Sequence, residues 1–332
     1  MRHSPWEVWP LTPAIGVPLI LACMLYARGA RWLEAAPSLG RQAAFFGGIA
    51  ALALAWQSPI GSMAPHSFAL DAVTQMLVRT VAPALLVMAE PTATLMRGLG
   101  GPRKAAAPPV IARLLRAAAA VLSHPLPGTA LYVGTAYLWA WPAARDAALL
   151  DPLVRTAMQG SFLLSGLAFF RGLFDLRPEP AGPTIGTRLM MIWGAELGNI
   201  LLGYYLTYTS VPLYAAYAAH GLLWGVTPLG NQMYGGQTLW LCDTAMIGVA
   251  AMVVIFRWAR DEDRLRGPRP SPLTDRAAYL ARQRASNRRV ALGVLGFAGM
   301  IAGVMGMSVI LYEVTYHDAV AHAPTVSLNQ IP

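Results

Sequence analysis

Ionisable and amide side chains interrupt the long apolar stretches of this 332-residue chain. They are Asp71, Gln75, Arg79, Arg155, Gln159, Glu196, Asn199 and Asp243. A charge inside an apolar membrane segment is costly unless it is paired, and it usually marks function. Two arginines facing three carboxylates can satisfy one another. The functional interpretation is a polar cavity for a cation, a proton or a partner's polar segment, and the structural one is a salt-bridge network that holds helices in register.

Four other residues are candidate metal ligands, because imidazole and thiolate groups bind copper and zinc. They are His66, Cys242, His317 and His322. Copper is therefore a candidate cofactor, although the residues alone make no cofactor certain. His317 and His322 lie five residues apart, which fits one helical face poorly, so a solvated tail is the alternative. Cys242 lies inside an apolar segment, where a cysteine is usually a small buried apolar side chain.

Eight apolar segments position these residues. With an extra turn for the shorter ones, each is long enough to cross the ~30 Å hydrocarbon core of a bilayer. They are residues 11–26, 43–56, 68–88, 127–141, 153–174, 188–213, 237–256 and 290–312. Hydrophobic residues make up 56% of the chain and charged residues 12%, so little polar surface is left for a water-soluble module. The sequence predicts an all-α, polytopic transmembrane helical bundle of about eight spans.

Basic residues occupy alternate connections between these segments. Arginine and lysine concentrate after the first, third, fifth and seventh segments, whereas residues 57–66, 214–236 and the tail after 312 hold none, and 143–152 hold one. The positive-inside rule then places both termini on the outer side of the membrane, away from the cytoplasm. We expect the first segment to be retained rather than cleaved as a signal, because a small-residue cleavage site is missing from its usual place.

The net charge of +9 does not require nucleic acid as a partner. Basic loops beside an anionic cytoplasmic leaflet account for it, so the partner that the charge implies is the lipid bilayer. The sequence contains no phosphate-binding Gly-rich loop, no His-Glu-x-x-His, no Gly-x-Ser-x-Gly and no Cys-x-x-Cys. These motifs carry the commonest nucleotide, hydrolase and redox chemistries. We therefore expect a protein that is not an enzyme.

Three blocks of sequence resemble the CtaG family of integral membrane proteins, which assist assembly of the copper-containing cytochrome c oxidase. The first is SPIGSMAPHSFALDAVTQMLVRTVAPALLVMAEP, and the second is LSHPLPGTALYVGTAYLWAWPAARDAALLDPLVRTAMQGSFLLSGLAFF. The third is VPLYAAYAAHGLLWGVTPLGNQMYGGQTLW, whose motif residues are Pro228, Asn231, Gln232, Gly235, Gly236 and Trp240. Their order and spacing cover about residues 58–257. The resemblance implies a seven-span core in a bacterial inner (plasma) membrane, with the outward side of the bundle facing the periplasm.

The chain departs from the family pattern at the positions where the resemblance implies histidine ligands for copper. Asp71 and Gln75 stand at the third-helix pair, Arg155 and Gln159 at the fifth-helix pair, and Trp141 at the fourth-helix position. Asn231 stands where the family pattern has the aspartate of an Asp-Gln pair. A copper site of the family type is therefore not expected, and Arg–carboxylate pairs are expected to replace its cross-links.

The resemblance also divides the chain. Residues 1–257 correspond to the CtaG-like transmembrane core, and residues 258–289 form a cytoplasmic basic linker. Residues 290–312 are an additional C-terminal transmembrane helix, and residues 313–332 are an outward-facing tail. The additional helix is a candidate partner-binding element.

Three functions follow as hypotheses. The first is assembly of a haem-copper oxidase, including assistance to copper insertion, with an oxidase subunit as partner. The second is a metal-free scaffold or accessory subunit of a respiratory or other integral membrane complex, derived from the same family. The third is transport through the region of Asp71, Arg155 and Asp243. It ranks last because transport needs a helix interrupted by Gly or Pro at mid-membrane, and the sequence offers only Pro83, on the third segment.

Overall fold

The computed structural model describes residues 12–33, 36–100, 124–175, 177 and 182–265, with side chains described up to residue 260. Throughout these ranges the regular secondary structure is helical. The predicted eighth span, most of the basic linker, and His317 and His322 in the tail lie outside the described residues. The chain divides into two compact units, Met1–Val254 and Ile255–Pro332, and the site described below belongs to the first.

Twelve α-helices are described, numbered here in chain order. They are α1 Pro13–Trp32, α2 Leu39–Gln57, α3 Pro59–Met63, α4 Phe68–Met76, α5 Ala82–Ala89, α6 Thr92–Gly98, α7 Pro125–Ala140, α8 Pro142–Leu150, α9 Pro152–Leu173, α10 Ile185–Tyr208, α11 Ala215–His220 and α12 Pro228–Leu265. Six of these begin at a proline, which suits the first helical position because its missing N–H would have no partner there. Short 3₁₀ turns occur at Ala64–His66 and Leu223–Gly225.

Six helical stretches are long and apolar enough to cross a membrane. They are Pro13–Trp32, Leu39–His66, Phe68–Ala89, Pro152–Leu173, Ile185–Tyr208 and Pro228–Arg260. The predicted segment 127–141 forms α7, which has 16 residues against the ~20 that a span normally needs. The predicted all-helical transmembrane fold is confirmed, whereas the count of eight spans stays a prediction.

Helix α10 shows how a membrane helix positions polar residues. Met190, Leu197 and Leu201 are largely exposed, while Glu196 and Asn199 are buried. In water this arrangement would expose apolar surface at a cost of about 25 cal/mol per Å². In a bilayer the apolar face meets lipid, and the polar face must find its partners inside the bundle.

A π-helical turn, Leu77–Val81, joins α4 to α5 in one helical rod. Within it the Ala82 N–H donates to the carbonyl of Leu77, five residues back. Pro83 has no N–H, so the Arg79 carbonyl lacks its usual helical donor. Gly166 of α9 packs against that carbonyl so closely that a Cβ there would lie 2.0 Å from its oxygen. The turn therefore brings α9 against the part of the rod that carries Arg79.

Candidate functional site

Five side chains around Asp71 form a buried network, here called the Asp71 network: Asp71, Gln75, Arg145, Arg155 and Tyr217. Arg145 Nη1 donates to Asp71 Oδ2 at 2.5 Å, and its Nη2 donates to Gln75 Oε1 at 3.3 Å. Tyr217 Oη donates to the same Asp71 oxygen at 2.8 Å, and Arg155 Nη2 lies 3.5 Å from Asp71 Oδ1. The side chains of Arg145 and Asp71 are 0% and 1% exposed, so water does not screen this pair.

Helix α8 and the rings around it hold Arg145 in place. Its Cζ lies 5.2 Å from the Phe68 ring centroid and 6.0 Å from that of Tyr214. Its Nε donates to the Trp139 carbonyl at 2.8 Å. All three guanidinium nitrogens therefore have acceptors, and aromatic faces supply additional attraction for the cation. A buried arginine requires acceptors of this kind, because an unpaired buried charge is strongly destabilising.

A second group, here called the Asp243 network, contains Arg79, Thr80, Tyr132, Asn199 and Asp243. Arg79 Nη2 donates to Asp243 Oδ2 at 2.6 Å and to Asn199 Oδ1 at 2.5 Å. Thr80 donates to Asp243 Oδ1 at 2.7 Å, and its hydroxyl lies 2.8 Å from that of Tyr132. The Arg79 Cζ stands 4.2 Å from the Tyr132 ring centroid. The π-helical turn thus places a buried ion pair between the rod, α7, α10 and α12.

Glu196 lies near the middle of α10 and is 3% exposed. One of its carboxyl oxygens accepts a hydrogen bond from Thr244. The other, Oε2, has no hydrogen-bond partner among the described residues. No described cation pairs with Glu196, so the predicted grouping of three carboxylates with two arginines does not hold for this residue.

The two networks lie along one face of the same rod. Asp71, Gln75 and Arg79 follow one another at intervals of four residues, which places them on one helical face. Eight residues at 1.5 Å each separate the two ends of this stripe by about 12 Å. The stripe and its neighbours also carry most of the buried side-chain atoms without a hydrogen-bond partner in the described part of the chain. They are Asp71 Oδ1, Gln75 Nε2, Arg155 Nη1, Arg79 Nε and Nη1, Asn199 Nδ2 and Glu196 Oε2. Such groups suit a bound polar ligand or ordered water.

Two tyrosines in the connection between α10 and α12 stay protonated at neutral pH. Burial raises the pKa of Tyr214 to about 12. Burial and the nearby Asp71 carboxylate raise the pKa of Tyr217 well above its ordinary value. Tyr217 therefore acts as a neutral donor to Asp71, and Tyr214 donates to the Ala140 carbonyl at 2.8 Å. These two bonds attach the connection to α4 and α7.

The first half of the motif that begins α12 attaches this helix to the start of α4. After Pro228, the Asn231 side chain accepts the Phe68 N–H at 2.9 Å. Gln232 accepts the Leu213 N–H at 2.7 Å and donates to the Leu206 carbonyl at 3.3 Å. Because Phe68 also lies against Arg145, this motif helps to position the Asp71 network.

The second half of the motif that begins α12 contains Gly235, Gly236 and Trp240. It allows α12 to approach neighbouring helices closely. A Cβ at Gly235 would lie 2.2 Å from the Phe68 ring, and one at Gly236 would lie 2.7 Å from Thr207 Oγ1. The Trp240 side chain packs against Gly203 of α10 in the same way. Small residues at such contacts let membrane helices pack tightly.

Comparison with known proteins places the chain in a family. A model described as cytochrome c oxidase caa3 assembly factor (Caa3_CtaG) matches residues 24–261. The chain belongs to this family. The match confirms the resemblance to CtaG proteins and extends it towards the N-terminus beyond the predicted 58–257.

Curated relatives of the chain come from mycobacteria. An uncharacterized protein of Mycobacterium leprae is 24% identical over 278 residues, which are 78% of this chain and 41% of that protein. Uncharacterized proteins of Mycobacterium bovis and Mycobacterium tuberculosis are each 23% identical over 266 residues, with 40% of their length covered. The chain therefore spans about two fifths of these relatives. No solved structure matches the chain.

The residues at the family's implied copper positions do not fit a copper ion. The Asp71 carboxylate is already bound by Arg145 and lies 3.5 Å from Arg155, and two cations beside it would repel a third. Gln75 and Gln159 supply amides, which are hard oxygen ligands and poor partners for copper. Across the described ranges, no group of three or more His, Cys, Asp or Glu side chains is arranged to hold a metal ion.

The remaining predicted residues are separate from both networks. The Gln159 side chain accepts a hydrogen bond from Trp56 Nε1 at 3.3 Å. Cys242 is a half-buried free thiol on α12. His66 lies beside His220, with ring centroids 6.0 Å apart, and Trp141, at the family's fourth-helix position, is 68% exposed.

Four residues of the networks were not predicted from the sequence. Arg145 and Tyr217 complete the Asp71 network, and Thr80 and Tyr132 complete the Asp243 network. A signal for Arg145 was present, since it is the single basic residue in a connection that should be free of them. Such an exception to the positive-inside rule indicates a buried, paired charge. The tyrosines and threonine carry no comparable signal, because these residue types are common in membrane helices.

Proposed function

We propose that this CtaG-family chain assists assembly of a haem-copper oxidase in a bacterial inner membrane. The observation that carries the proposal is the family match over residues 24–261, which includes both buried networks. The Asp71 network provides mechanical rigidity in place of a metal. We do not propose copper binding at the positions where the family pattern implies histidines, because Arg145 and Arg155 lie beside Asp71.

We propose further that residues 57–66 and 214–236, both at the same end of the bundle, form the docking surface for an oxidase subunit. His66 is fixed to the Gly221 carbonyl at 3.0 Å, and the Ala216 N–H donates to Asp146 Oδ1 at 3.2 Å. Together with the Tyr217 bond to Asp71, these contacts hold the longer connection against the bundle. A surface ordered before binding loses less entropy when a partner docks.

Trp224 is the residue on this surface that supports a docking role most directly. It is 71% exposed and adopts φ 56° and ψ 19°, in the left-handed region. A non-glycine residue held there costs roughly 1–3 kcal/mol, which is typical of functional loops. Tryptophan is also enriched among the residues that dominate interface energies. We infer that Trp224 inserts into an apolar pocket of the oxidase subunit.

The test replaces Trp224 by alanine in cells that lack the chromosomal copy of this gene. The Trp224→Ala protein should accumulate normally but restore little oxidase, measured from reduced-minus-oxidised haem spectra of membranes and from oxygen consumption. Trp141→Ala is the matched control, because Trp141 is exposed to a similar degree, 68%, and lies outside both connections. Equal oxidase levels in the two variants would contradict the docking role of Trp224.

The second candidate is a metal-free accessory subunit that stays with a finished membrane complex. It is favoured by Asp71 and Arg155, which stand where the resemblance implies histidine ligands and form a cluster with Arg145. Such a cluster cross-links helices without metal chemistry. Affinity purification of the tagged chain separates the two candidates. An assembly factor should co-purify with oxidase subunits that lack their full metal content, and an accessory subunit with the complete active complex.

We propose the topology in which both termini face the periplasm. Residues 1–257 form the core, 258–289 a cytoplasmic linker, 290–312 an eighth span and 313–332 an outer tail. Its support is the alternation of basic and uncharged connections. Alkaline phosphatase fused after residue 332 should be active, and the same reporter fused within 258–289 should be inactive.

A further inference from the structure

Helices α1 and α6 cross at two glycines. A Cβ at Gly29 would overlap the Thr94 carbonyl and lie 2.9 Å from the Gly98 nitrogen, and a Cβ at Gly98 would overlap the Leu25 carbonyl. The two backbones are therefore in direct contact, which small residues permit in membrane proteins. This crossing brings together the residues that flank the two glycines.

Two arginines flank these glycines, and a third lies one turn away. Arg28 precedes Gly29, and Arg97 precedes Gly98. Bond lengths added to the glycine separation place the Cα atoms of Arg28 and Arg97 within about 11 Å of each other. Arg31 follows Arg28 by three residues, so the two are neighbours on one face of α1. All three side chains are exposed, and they are here called the basic cluster.

No carboxylate among the described residues neutralises the basic cluster. Glu90, two residues before α6, already pairs with Arg41 at 2.6 Å, and the other described ion pairs lie elsewhere. Like charges this close repel one another, so an anion bound among them would lower the electrostatic energy. Phosphate suits such a cluster, because a guanidinium can donate two parallel hydrogen bonds to its oxygens.

An exposed apolar stripe on α1 leads to the basic cluster. Ile20 and Met24 are 62% and 63% exposed, and they precede Arg28 by eight and four residues, which places them on its helical face. Trp32, which follows Arg31, is 69% exposed, and tryptophan is enriched where lipid tails meet headgroups. One continuous surface therefore offers apolar contact to an acyl chain and positive charge to a headgroup, whereas a free anion would use the arginines alone.

We propose that the basic cluster and the apolar stripe bind one anionic phospholipid. Its phosphate lies among Arg28, Arg31 and Arg97, and one acyl chain follows Ile20 and Met24. Phosphatidylglycerol has this chemistry, because its headgroup carries a phosphate and no cation. Phosphatidylcholine adds a quaternary ammonium that the arginines repel. The inference is independent of the proposed assembly function and of the proposed topology, since it depends only on the residues around the α1–α6 crossing.

The experiment titrates the full-length protein in detergent micelles with phosphatidylglycerol or phosphatidylcholine of identical acyl chains and counts bound lipids by native mass spectrometry. Each arginine beside an anionic headgroup contributes a factor of about five in affinity, the equivalent of about 1 kcal/mol. The wild type should therefore retain one phosphatidylglycerol and prefer it by about a hundredfold. Arg28→Gln, Arg31→Gln and Arg97→Gln should each lower the preference about fivefold, and the triple variant should abolish it.

Two controls separate the basic cluster from general charge. Arg171→Gln removes an exposed arginine from the last turn of α9 and should leave the preference unchanged. The double variant Arg41→Gln/Glu90→Gln removes a neutral pair and should also have no effect. All these side chains are exposed, so melting temperatures without added lipid should match the wild type.

Three results would overturn the proposal. The first is a wild-type preference for phosphatidylglycerol in the triple variant, and the second is an equal loss in Arg171→Gln and Arg28→Gln. The third is displacement of phosphatidylglycerol by inorganic phosphate at the same concentration, which would show a site for a free anion. Oxidase assembly is scored separately in cells with the Trp224→Ala variant, so the two proposals fail independently.

Discussion

Removing Arg145 should destabilise the fold by about 3–5 kcal/mol, the usual cost of leaving one member of a buried ion pair without its partner. In Arg145→Met the side chain keeps a similar volume but loses its hydrogen bonds to Asp71, Gln75 and the Trp139 carbonyl. Asp71 then keeps Tyr217 as a donor and Arg155 at 3.5 Å. That arginine is 22% exposed and cannot supply a short, dry contact.

The assay is equilibrium unfolding of the purified protein in mixed micelles with increasing SDS, followed by helical circular dichroism. A loss of 3–5 kcal/mol corresponds to roughly two to three and a half decades in the unfolding constant. Arg41→Met is the matched control, because Arg41 and Glu90 form a pair of similar length, 2.6 Å, with side chains 46% and 45% exposed. Exposed pairs contribute about 0–1 kcal/mol.

A double variant isolates the cause. Asp71→Leu/Arg145→Met removes both charges, so it should be more stable than Arg145→Met alone, as is typical when a buried pair is replaced by apolar residues. A loss in Arg145→Met no greater than that in Arg41→Met would contradict the buried ion pair. So would a loss in the double variant, relative to the wild type, that equals the sum of the losses in Asp71→Leu and Arg145→Met, because only independent residues give additive losses.

Three further outcomes are expected. Gly166→Ala should lower stability markedly, because its Cβ would lie 2.0 Å from the Arg79 carbonyl oxygen. Gly160→Ala on the same helix should be neutral, because a Cβ there would have no neighbour within 4 Å. Equal melting temperatures of the two variants would contradict the close packing at Gly166. Asp243→Leu should cost about 3–5 kcal/mol because it leaves the fully buried Arg79 without its carboxylate, and Asp243→Leu combined with Arg79→Met should recover part of that loss in the same unfolding assay. Stability should fall as the pH rises from about 10 to about 12. Tyrosine has a pKa near 10 in the unfolded chain, and burial raises the pKa of folded Tyr214 to about 12, so the folded state binds more protons in this window. Tyr214→Phe should flatten that part of the stability profile.

The sequence alone predicted the class of fold and the depth of the polar residues. In lipid, an apolar segment of about 20 residues satisfies all its backbone hydrogen bonds within itself when it forms a helix. Six of the eight predicted segments correspond to described spanning helices. Glu196, Asn199 and Asp243 were recognised as intramembrane polar residues for the same reason: each interrupts an apolar run. The remaining two segments illustrate the limits of this pattern, since 127–141 folds as the 16-residue α7 and 290–312 lies outside the described residues.

Only the tertiary structure decided which polar residues meet. Asp71 was expected to meet one of the two predicted arginines, Arg79 or Arg155, yet its short contact is with Arg145 on α8, 74 residues away. His66 and His220 likewise carried no mutual signal, and their approach depends on how α11 folds back towards α4. Hydropathy reports the transfer energy of each residue by itself and therefore fixes depth in the membrane. Pairing depends on the rotation and packing of several helices at once, and no local spacing in a chain specifies contacts between segments so far apart.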